Sequence, residues 1–402
     1  MKEMRKRNHL QPKPCPVCQK SNGEIFLEMA EVPVHCNLLW SAKADAVDAP
    51  RGSIQLTFCP DCGFIFNAAF DPELMEYSQT YENSLHFSPR FQNYAESLAK
   101  DLINRHKLKG KQIIDIGCGK GDFLKLLCKL GGNTGVGFDP SYEPELNKIG
   151  EEEKKITFVQ DFYSEVYSDY QADLICCRHV LEHIQFPRNF LSVVRRAIGN
   201  RVATGVLFEV PNVIFTLRDL GIWDIIYEHC NYFSRFSLHH LFSACEFERI
   251  ATKETFNEQF ITLEAFPASS RHDCDEVNAD GIEEVAGLVD AFGEKYRLKV
   301  EEWSEFLTRA ATKGQRLVVW GSGSKGVTFL NTLQTHNQIE YVVDINPRKQ
   351  GNYVAGTGQK IVPPEFLLEY QPDVIVIMNS VYKSEIKELC KQLGLSAEMR
   401  CA

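Results

Sequence analysis

A buried strand, a glycine-rich turn and an amphipathic helix follow one another in "KQIIDIGCGKGDFLKLL", and this order constrains the fold more than any other feature of the chain. The apolar run from Gln112 to Ile116 predicts the strand, and the spaced apolar residues of "DFLKLL" predict the helix. Gly117, Gly119 and Gly121 allow the backbone of the turn to approach a ligand closely. Their G-x-G-x-G spacing differs from the dinucleotide-binding G-x-G-x-x-G. The segment therefore predicts an α/β fold with a nucleotide site at the turn.

Acidic residues follow the next two predicted strands. Asp139 comes twenty residues after Gly119, in "TGVGFDP", where a carboxylate can accept from both hydroxyls of a ribose. Asp161, in "ITFVQDF", is placed to accept from the exocyclic amine of an adenine. Two more strands are predicted in "ADLICCRHVLEHI" and "GVLFEVPN". This ordered set, beginning at Asp115, resembles the class I S-adenosylmethionine methyltransferases.

The resemblance implies a doubly wound sheet that ends in an antiparallel strand, which "RIATKETF" and "FITLEAF" can supply. It also implies that the glycine turn lies along the methionine portion of S-adenosylmethionine. Asp139 would hold the ribose, and Asp161 with Phe162 would frame the adenine. The full predicted donor-binding set is Asp115, Gly117, Cys118, Gly119, Asp139, Asp161, Phe162 and His179.

Two Cys-x-x-C hooks lie near the start of the chain, Cys15 with Cys18 and Cys59 with Cys62. Four thiolates in a tetrahedral set favour zinc over harder cations. Such a closed site leaves no open coordination position, so the predicted Zn²⁺ is structural. The forty residues between the hooks predict a small β-rich module. A redox dithiol is the alternative, but it would lie beside a βαβ unit, and none is predicted nearby.

A second strand, glycine turn and helix is predicted in "QRLVVWGSGSKGVTFLNTL", after an acidic helical stretch from Glu283 to Thr312. Its glycines fit G-x-G-x-x-G, and Asp344 follows in the next predicted strand, so one interpretation is a nicotinamide nucleotide site. Lys325 inside the turn suits a phosphate group instead. A Rossmann-like domain that only packs or dimerises is the third interpretation.

Taken together, the three parts resemble the three-domain sugar C-methyltransferases that modify nucleotide-linked keto-deoxysugars. The resemblance rests on the cysteine pairs, "YENSLHFSPRF", "DIGCGKG", "HVLEHI", "YEHCNYFS", "GSGSKG" and "DINPRKQG". It implies a zinc-binding module at residues 1–75, a doubly wound class I methyltransferase domain at 76–270 and a Rossmann-like substrate domain at 271–402. Methylation of carbon requires a base that removes a proton beside a ketone, and a donor to the ketone oxygen.

The same resemblance assigns catalytic roles. His229 corresponds to the general base, and Glu228 to the residue that orients this base or contacts the sugar. His183 corresponds to a histidine near the transferred methyl group. Tyr77 and Tyr81 are predicted to close over the sugar and donate to its oxygens. Ser322 and Lys325 are the predicted contacts to a nucleotide diphosphate.

The chain departs from the family pattern around the acceptor pocket. His179 stands where the deoxysugar enzymes typically carry asparagine, and "YENSLHFS" replaces a stretch richer in tyrosine, proline and serine. A histidine at position 179 suits an oxygen or nitrogen nucleophile equally well, since these need less activation than carbon. Methylation of oxygen or nitrogen on another small polar acceptor is therefore the alternative function.

The composition excludes some partners. The 402-residue chain has a formal net charge of -10, which argues against binding nucleic acid through a basic surface. The basic start "MKEMRKR" has no apolar core behind it, and no apolar run approaches the length of a membrane span. The expectation is a cytoplasmic monomer or homodimer with a small-molecule substrate, whose 14 cysteines are reduced thiols.

Overall fold

The computed structural model describes residues 13–75, 81–142, 155–270, 278–335 and 338–402, so the predicted site residue Tyr77 lies outside the described residues. Three β-sheets of four, seven and five strands organise these residues. Each sheet packs against helices or against its neighbours, and all three contribute to one cleft.

The first sheet combines two distant parts of the sequence. Its strand order is β1-β2-β3-β9, with every neighbouring pair antiparallel. The first three strands are β1 (Glu24–Pro33), β2 (Arg51–Phe58) and β3 (Ile65–Asn67), with the short helix α1 (Lys43–Val47) between β1 and β2. The fourth strand is β9 (Asn231–Tyr232), whose Tyr232 pairs with Ile65 and whose Asn231 pairs with Phe66. The cysteine-hook region is thus β-rich, as predicted, and it is completed by a strand from the next part of the chain.

The central sheet has the order β10-β11-β8-β7-β4-β5-β6, and β11 is antiparallel to both of its neighbours. The other pairs are parallel. The seven strands are β4 (Gln112–Ile116), β5 (Thr134–Phe138), β6 (Ile156–Val159), β7 (Leu174–Arg178), β8 (Gly205–Pro211), β10 (Phe247–Thr255) and β11 (Phe260–Pro267). This order confirms the predicted doubly wound α/β fold with a final antiparallel strand: β11, the last of these strands in the sequence, lies between β8 and β10.

Helices cover both faces of the central sheet, which explains its continuous apolar strands. Cys176 and Cys177, on opposite faces of β7, are both buried. The helices of this part are α2 (Pro89–His106), α3 (Asp122–Gly131), α4 (Pro187–Ile198), α5 (Val213–Arg218) and α6 (Arg235–Ala244). Strand β4, which precedes the glycine turn, has the predicted bounds, since its apolar run ends where the positive φ angles of the turn begin.

The carboxy-terminal part is Rossmann-like, as predicted. Its five strands are all parallel, in the order β14-β13-β12-β15-β16. They are β12 (Leu317–Trp320), β13 (Ile339–Val343), β14 (Lys360–Val362), β15 (Val374–Ile377) and β16 (Glu398–Cys401). The helices are α7 (Ala279–Thr312), α8 (Ser324–Thr332), α9 (Leu367–Tyr370) and α10 (Lys383–Gln392). Helix α7 begins before the predicted Glu283 because the Asn278 side chain caps it by accepting from Gly281 N at 2.9 Å.

Polar contacts tie the carboxy-terminal part to segment 81–88, which runs along the cleft. At one end, the buried Glu82 carboxylate accepts from Asn346 and Arg348, each at 3.1 Å. At the other end, Ser88 Oγ donates to Glu385 at 2.8 Å. Both ends of the segment are therefore fixed to the Rossmann-like part. Among the residues that the structure describes, no helix is both long and apolar enough to cross a membrane.

Candidate active site

A cleft of about 970 Å³ lies at the carboxyl ends of the parallel strands of both larger sheets. Loops after β4, β5, β6, β7 and β8 line one side, and the turn after β12 lines the other. Segment 81–88 and residues from the first sheet, such as Asn37 and Phe70, complete the wall. Ligands bind at this edge of open α/β sheets, in the crevice outside the carboxyl ends of the strands where the strand order reverses.

The glycine turn after β4 forms a backbone cradle in this cleft. Gly117, Gly119 and Gly121 all have positive φ, between 54° and 80°. A Cβ on Gly117 would lie 2.2 Å from the Val180 side chain, so only glycine fits there. A Cβ on Gly119 would meet nothing within 4 Å, because this glycine faces open space. The turn is held by Asp139 Oδ2, which accepts from Gly119 N at 2.8 Å.

The predicted ribose and adenine residues lie along the same wall. Asp139 Oδ1 accepts from Ser141 N and Oγ, at 2.8 and 2.6 Å. Asp161 accepts from Phe162 N and from the Tyr167 hydroxyl. The ring of Phe162 is 59% exposed beside the cleft, which is unusual for a phenylalanine and fits a planar ligand group lying on it. An open glycine cradle, a carboxylate and an exposed ring together fit S-adenosylmethionine.

Asp115 and Cys118 lie under the glycine turn. Asp115 is 3% exposed, and burial raises the pKa of its carboxyl to about 7. Burial also raises the pKa of the Cys118 thiol well above its ordinary value, so this cysteine remains a neutral thiol. Both residues line the cleft.

His229 and His183 form a pair of imidazoles in the cleft. Their ring centroids are 4.9 Å apart, at an interplanar angle of 73°. His183 Nδ1 lies 2.9 Å from the backbone oxygen of Glu228, which can only accept, so Nδ1 carries the proton and Nε2 is the basic nitrogen. Burial, followed by the charges of His183 and His179, holds the pKa of His229 well below its ordinary value. His229 is therefore neutral near pH 7 and able to accept a proton.

Strand β9 fixes the position of His229. It begins two residues after this histidine and pairs with β3 of the first sheet. The Asn231 side chain donates to Ile184 O at 2.5 Å, which ties the segment after His229 to the segment after His183. The cysteine-hook region and the loop after β7 thus hold the two histidines together.

Glu228 does not lie where the sequence predicted it. Its carboxylate is fully buried and does not line the cleft. Oε2 accepts from Cys36 N at 2.9 Å, and Oε1 lies 3.8 Å from His35 Nδ1. Burial opposes its ionisation, but hydrogen bonds from His35 and Tyr81 outweigh burial and lower the pKa of Glu228. The Glu228 side chain anchors the first sheet, and only its backbone oxygen reaches a histidine of the site.

His179 forms ion pairs with two buried carboxylates, so its imidazole is not available to activate a nucleophile. Its Nε2 lies 2.8 Å from Glu209 and its Nδ1 3.7 Å from Glu182. Burial opposes a charge on His179, but these two carboxylates outweigh it and raise its pKa to about 9. His179 also has a positive φ of 55°, a strained conformation for a non-glycine residue, at the end of β7. Arg178 donates to Glu209 at 2.8 Å and completes the network.

Of the two predicted tyrosines, only Tyr81 lies within the described residues, and it lines the cleft. Its backbone forms an isolated antiparallel bridge with Leu38 of the first sheet. The segment between the cysteine hooks therefore positions Tyr81 in the cleft that the histidine pair also lines.

The two predicted diphosphate contacts have different surroundings. Ser322 is 3% exposed and does not line the cleft, because its amide and hydroxyl both donate to Asp344, at 2.9 and 2.6 Å. Lys325 does line the cleft, but its ammonium forms an ion pair with Asp224. The Asp344 carboxylate also accepts from Asn346 N at 2.9 Å, so backbone and hydroxyl donors of the chain occupy both of its oxygens.

The four hook cysteines come together, as the spacing predicted. Their sulfur atoms lie within 4.8 Å of one another, with Cys15 to Cys62 at 3.7 Å and Cys18 to Cys59 at 3.5 Å. Zinc–sulfur bonds of about 2.3 Å in a tetrahedron separate the sulfurs by about 3.8 Å. The cluster therefore fits a four-thiolate zinc ion.

Sequence reasoning missed several charged residues of the cleft. Asp224, Arg178 and Glu182 all line it, and Glu209 lies behind them, fully buried. Asp224 is five residues before His229, in a stretch without helical or strand periodicity, so its orientation had no signal in the sequence. Glu209, a carboxylate inside the apolar run "GVLFEVPN", was visible as an exception that needed a buried partner.

Two family models match this chain. Residues 91–252 match a methyltransferase domain, and residues 274–395 match a C-methyltransferase C-terminal domain. The chain carries both domains. Residues 91–252 thus form a class I S-adenosylmethionine-dependent methyltransferase domain, and the part that follows is similar to the carboxy-terminal domain of C-methyltransferases.

Relatives match parts of the chain. The C-methyltransferase NovU of Streptomyces niveus is 23% identical over 295 residues, which are 69% of this chain and 68% of NovU. The mitochondrial ubiquinone biosynthesis O-methyltransferase of Dictyostelium discoideum is 27% identical over 125 residues. That match covers 27% of this chain and spans only 38% of the relative's length.

A solved structure, N,N-8-amino-8-demethyl-D-riboflavin dimethyltransferase (RosA) of Streptomyces davawensis, is 16% identical with a TM-score of 0.36. The match covers 44% of this chain and 56% of that chain. The strand order of the seven-stranded sheet, rather than this partial likeness, defines the fold.

Proposed function

We propose that this protein is an S-adenosylmethionine-dependent methyltransferase that methylates a carbon atom beside a ketone, on a nucleotide-linked keto-deoxysugar. The observation that carries the proposal is the neutral His229, paired with His183 in the same cleft as the glycine cradle. The match to a C-methyltransferase C-terminal domain and the similarity to NovU support carbon as the methylated atom.

Different residues of the chain would bind the donor, accept the proton and contact the sugar. The cradle at Gly117 to Gly119, Asp139 and the exposed Phe162 would bind the donor, which supplies an electrophilic methyl group when bound. The uncharged imidazole of His229 would accept the proton from the carbon beside the ketone, and the enolate that remains would be the nucleophile. Tyr81 lines the cleft and hydrogen-bonds to Glu228, so it would have to exchange that partner for a sugar oxygen in order to act as the proposed donor.

The size and lining of the cleft support a substrate as large as a nucleotide sugar. Its volume of about 970 Å³ is at the upper end of small-molecule sites, which leaves space for an acceptor beside the donor. The Rossmann-like part contributes Lys325, Asn346 and Lys349 to the wall opposite the glycine cradle. These groups would bind the polar nucleotide portion of the acceptor. Each would have to exchange or share its present partner, which is Asp224 for Lys325, Glu82 for Asn346 and Asn37 for Lys349.

The hook cysteines are proposed to bind a structural Zn²⁺. Their sulfur separations support a tetrahedral ion, and the four thiolates leave no position for a substrate. The ion would stabilise the small sheet whose last strand fixes His229.

Purified protein incubated with labelled donor and a panel of keto-sugar nucleotides tests the proposal. We expect transfer of the label to at least one keto sugar and none to the corresponding sugar in which the ketone is reduced to an alcohol. Tight donor binding without transfer to any keto sugar would contradict it. Transfer that does not depend on the ketone would favour the oxygen or nitrogen acceptor, in line with the similarity of residues in the methyltransferase domain to an O-methyltransferase.

A further inference from the structure

Glu182 has no role in the proposed proton transfer, yet it lies beside both histidines of the cleft. One carboxylate oxygen of Glu182 and one ring nitrogen each of His183 and His229 lie within 4.8 Å of one another. Glu182 is 1% exposed, and its Oε2 has no hydrogen-bond partner among the described residues. A buried carboxylate oxygen without a protein partner is costly, so this oxygen favours a bound cation or donor beside it.

The surroundings of the three groups are those of metal ligands. A metal-binding histidine usually donates its other ring N–H to a backbone carbonyl, which fixes the ring and directs the remaining lone pair at the ion. His183 does this through Nδ1 and the Glu228 backbone oxygen, at 2.9 Å. The His229 ring is likewise within hydrogen-bonding reach of the Asp224 backbone. Glu182 Oε1 faces His179, at 3.7 Å, which leaves Oε2 as the available oxygen.

We propose that Glu182, His183 and His229 form a second divalent-metal site, separate from the cysteine cluster, for a Zn²⁺-like transition-metal ion. Two imidazoles and a carboxylate are typical ligands of such ions. All three residues line the cleft, so the remaining coordination positions would be open to an acceptor. Zinc bonds of about 2.1 Å hold tetrahedral ligands about 3.4 Å apart, so the ligand atoms would move at most about 1.4 Å closer on binding.

Nearby charges permit a dication. Two cationic groups lie nearby: Lys325 forms an ion pair with Asp224, and the imidazolium of His179, 3.7 Å from Glu182, is paired with Glu209 at 2.8 Å. The buried Glu228 carboxylate lies behind His183 and adds negative potential. The ion would therefore add positive charge where two carboxylates are already present, Glu182 as a ligand and Glu228 behind it.

Metal binding has a consequence that rests on the proposed function. His229 has one available lone pair, which cannot both coordinate an ion and accept a proton from the acceptor. The second metal is therefore an inhibitor of methyl transfer that competes with the acceptor for the cleft. Removing it with a chelator too weak to strip the closed four-thiolate site would restore turnover.

Titration with Co²⁺ tests the site directly. With zinc already in the cysteine cluster, we expect one further equivalent of Co²⁺ to bind, giving visible d–d absorption without a thiolate charge-transfer band. Glu182→Gln should weaken this binding by at least about tenfold. The matched control is Glu165→Gln, since Glu165 is an exposed glutamate on the surface. No further Co²⁺ binding, or binding that Glu182→Gln leaves unchanged, would overturn the proposal.

Two further measurements keep the result unambiguous. His183→Gln is a second ligand variant, and far-ultraviolet circular dichroism reports whether either variant is folded. The Co²⁺ titration needs neither donor nor acceptor, so methyl transfer without Co²⁺ binding contradicts only the metal site. If Co²⁺ binds but the protein assayed with the second site empty transfers no methyl group to any acceptor, only the proposed function is contradicted. A rise in turnover on Co²⁺ binding would overturn the inhibitory role.

Discussion

At the scale of single residues, substitution of His229 distinguishes proton abstraction from donor binding. His229→Ala removes the proposed base but none of the residues that form the donor cradle. We expect kcat to fall by about 10²–10⁴-fold, the usual contribution of a general base, with donor affinity unchanged. Steady-state kinetics and calorimetric titration of the donor measure the two effects. His239→Ala, on α6 and outside the cleft, is the control; full activity of His229→Ala would refute the assignment of the base.

Asp115 makes stability depend on pH. Burial raises its pKa from 3.8 to about 7 in the folded protein, so the folded state favours the protonated carboxyl. Its stabilising effect is complete below about pH 4 and is lost as the pH rises through about 7. Asp115→Asn should therefore be more stable than wild type by about 2–4 kcal/mol at about pH 8, and by much less at about pH 4. Chemical denaturation at both pH values measures this, and an equal difference at the two would contradict it.

At the scale of elements, Glu228 joins the first sheet to the segment that carries His229. Glu228→Ala leaves the buried Cys36 N–H without its acceptor, which should cost about 1–3 kcal/mol. Glu228→Gln keeps an acceptor oxygen and should retain most of that stability. Denaturant unfolding of both variants, with the exposed Glu96→Ala as a control, checks the expectation. Equal stability of Glu228→Ala and wild type would show that the contact is not structural.

Local sequence signals predicted most elements but not their junctions. The strand at Gln112–Ile116 and the antiparallel end of the central sheet were predictable, since an apolar run beside glycines, or a pair of alternating segments, is a local pattern. Strand β9 has only two residues, and its partner β3 is more than 160 residues away in the sequence. Such a pair has no periodicity of its own. For the same reason, the burial of Glu228 and the pairing of Lys325 with Asp224 were not predictable.

At the scale of the whole molecule, the site depends on the cysteine cluster. The two cysteine hooks lie on either side of β1 and β2 in the sequence, and the sheet that these strands belong to ends in the strand beside His229. Cys18→Ser should lower the melting temperature and reduce methyl transfer more than donor binding, because the donor cradle lies in the central sheet. Thermal denaturation, zinc content and kinetics measure these effects. Cys401→Ser, in β16, is the matched control, and unchanged turnover in zinc-free Cys18→Ser would contradict the dependence.

The three sheets share apolar cores and all contribute to one cleft. The donor half of this cleft was predictable, since its residues follow strand ends in a fixed order along the sequence. The acceptor half was not, because it combines segment 81–88, the β9 region and the turn after β12, which approach one another only through the tertiary fold. Its composition therefore follows from packing between distant parts of the chain.

Mass spectrometry of the product from an acceptor deuterated beside its ketone tests the central claim most directly. Carbon methylation through an enolate must replace one deuteron by the methyl group, so the account predicts a product that has gained a methyl group and lost a deuteron. An incubation without donor, analysed in parallel, corrects for exchange with solvent. A methylated product that retains every deuteron would show that oxygen or nitrogen is the nucleophile, and would contradict the role of His229 as the base that forms an enolate.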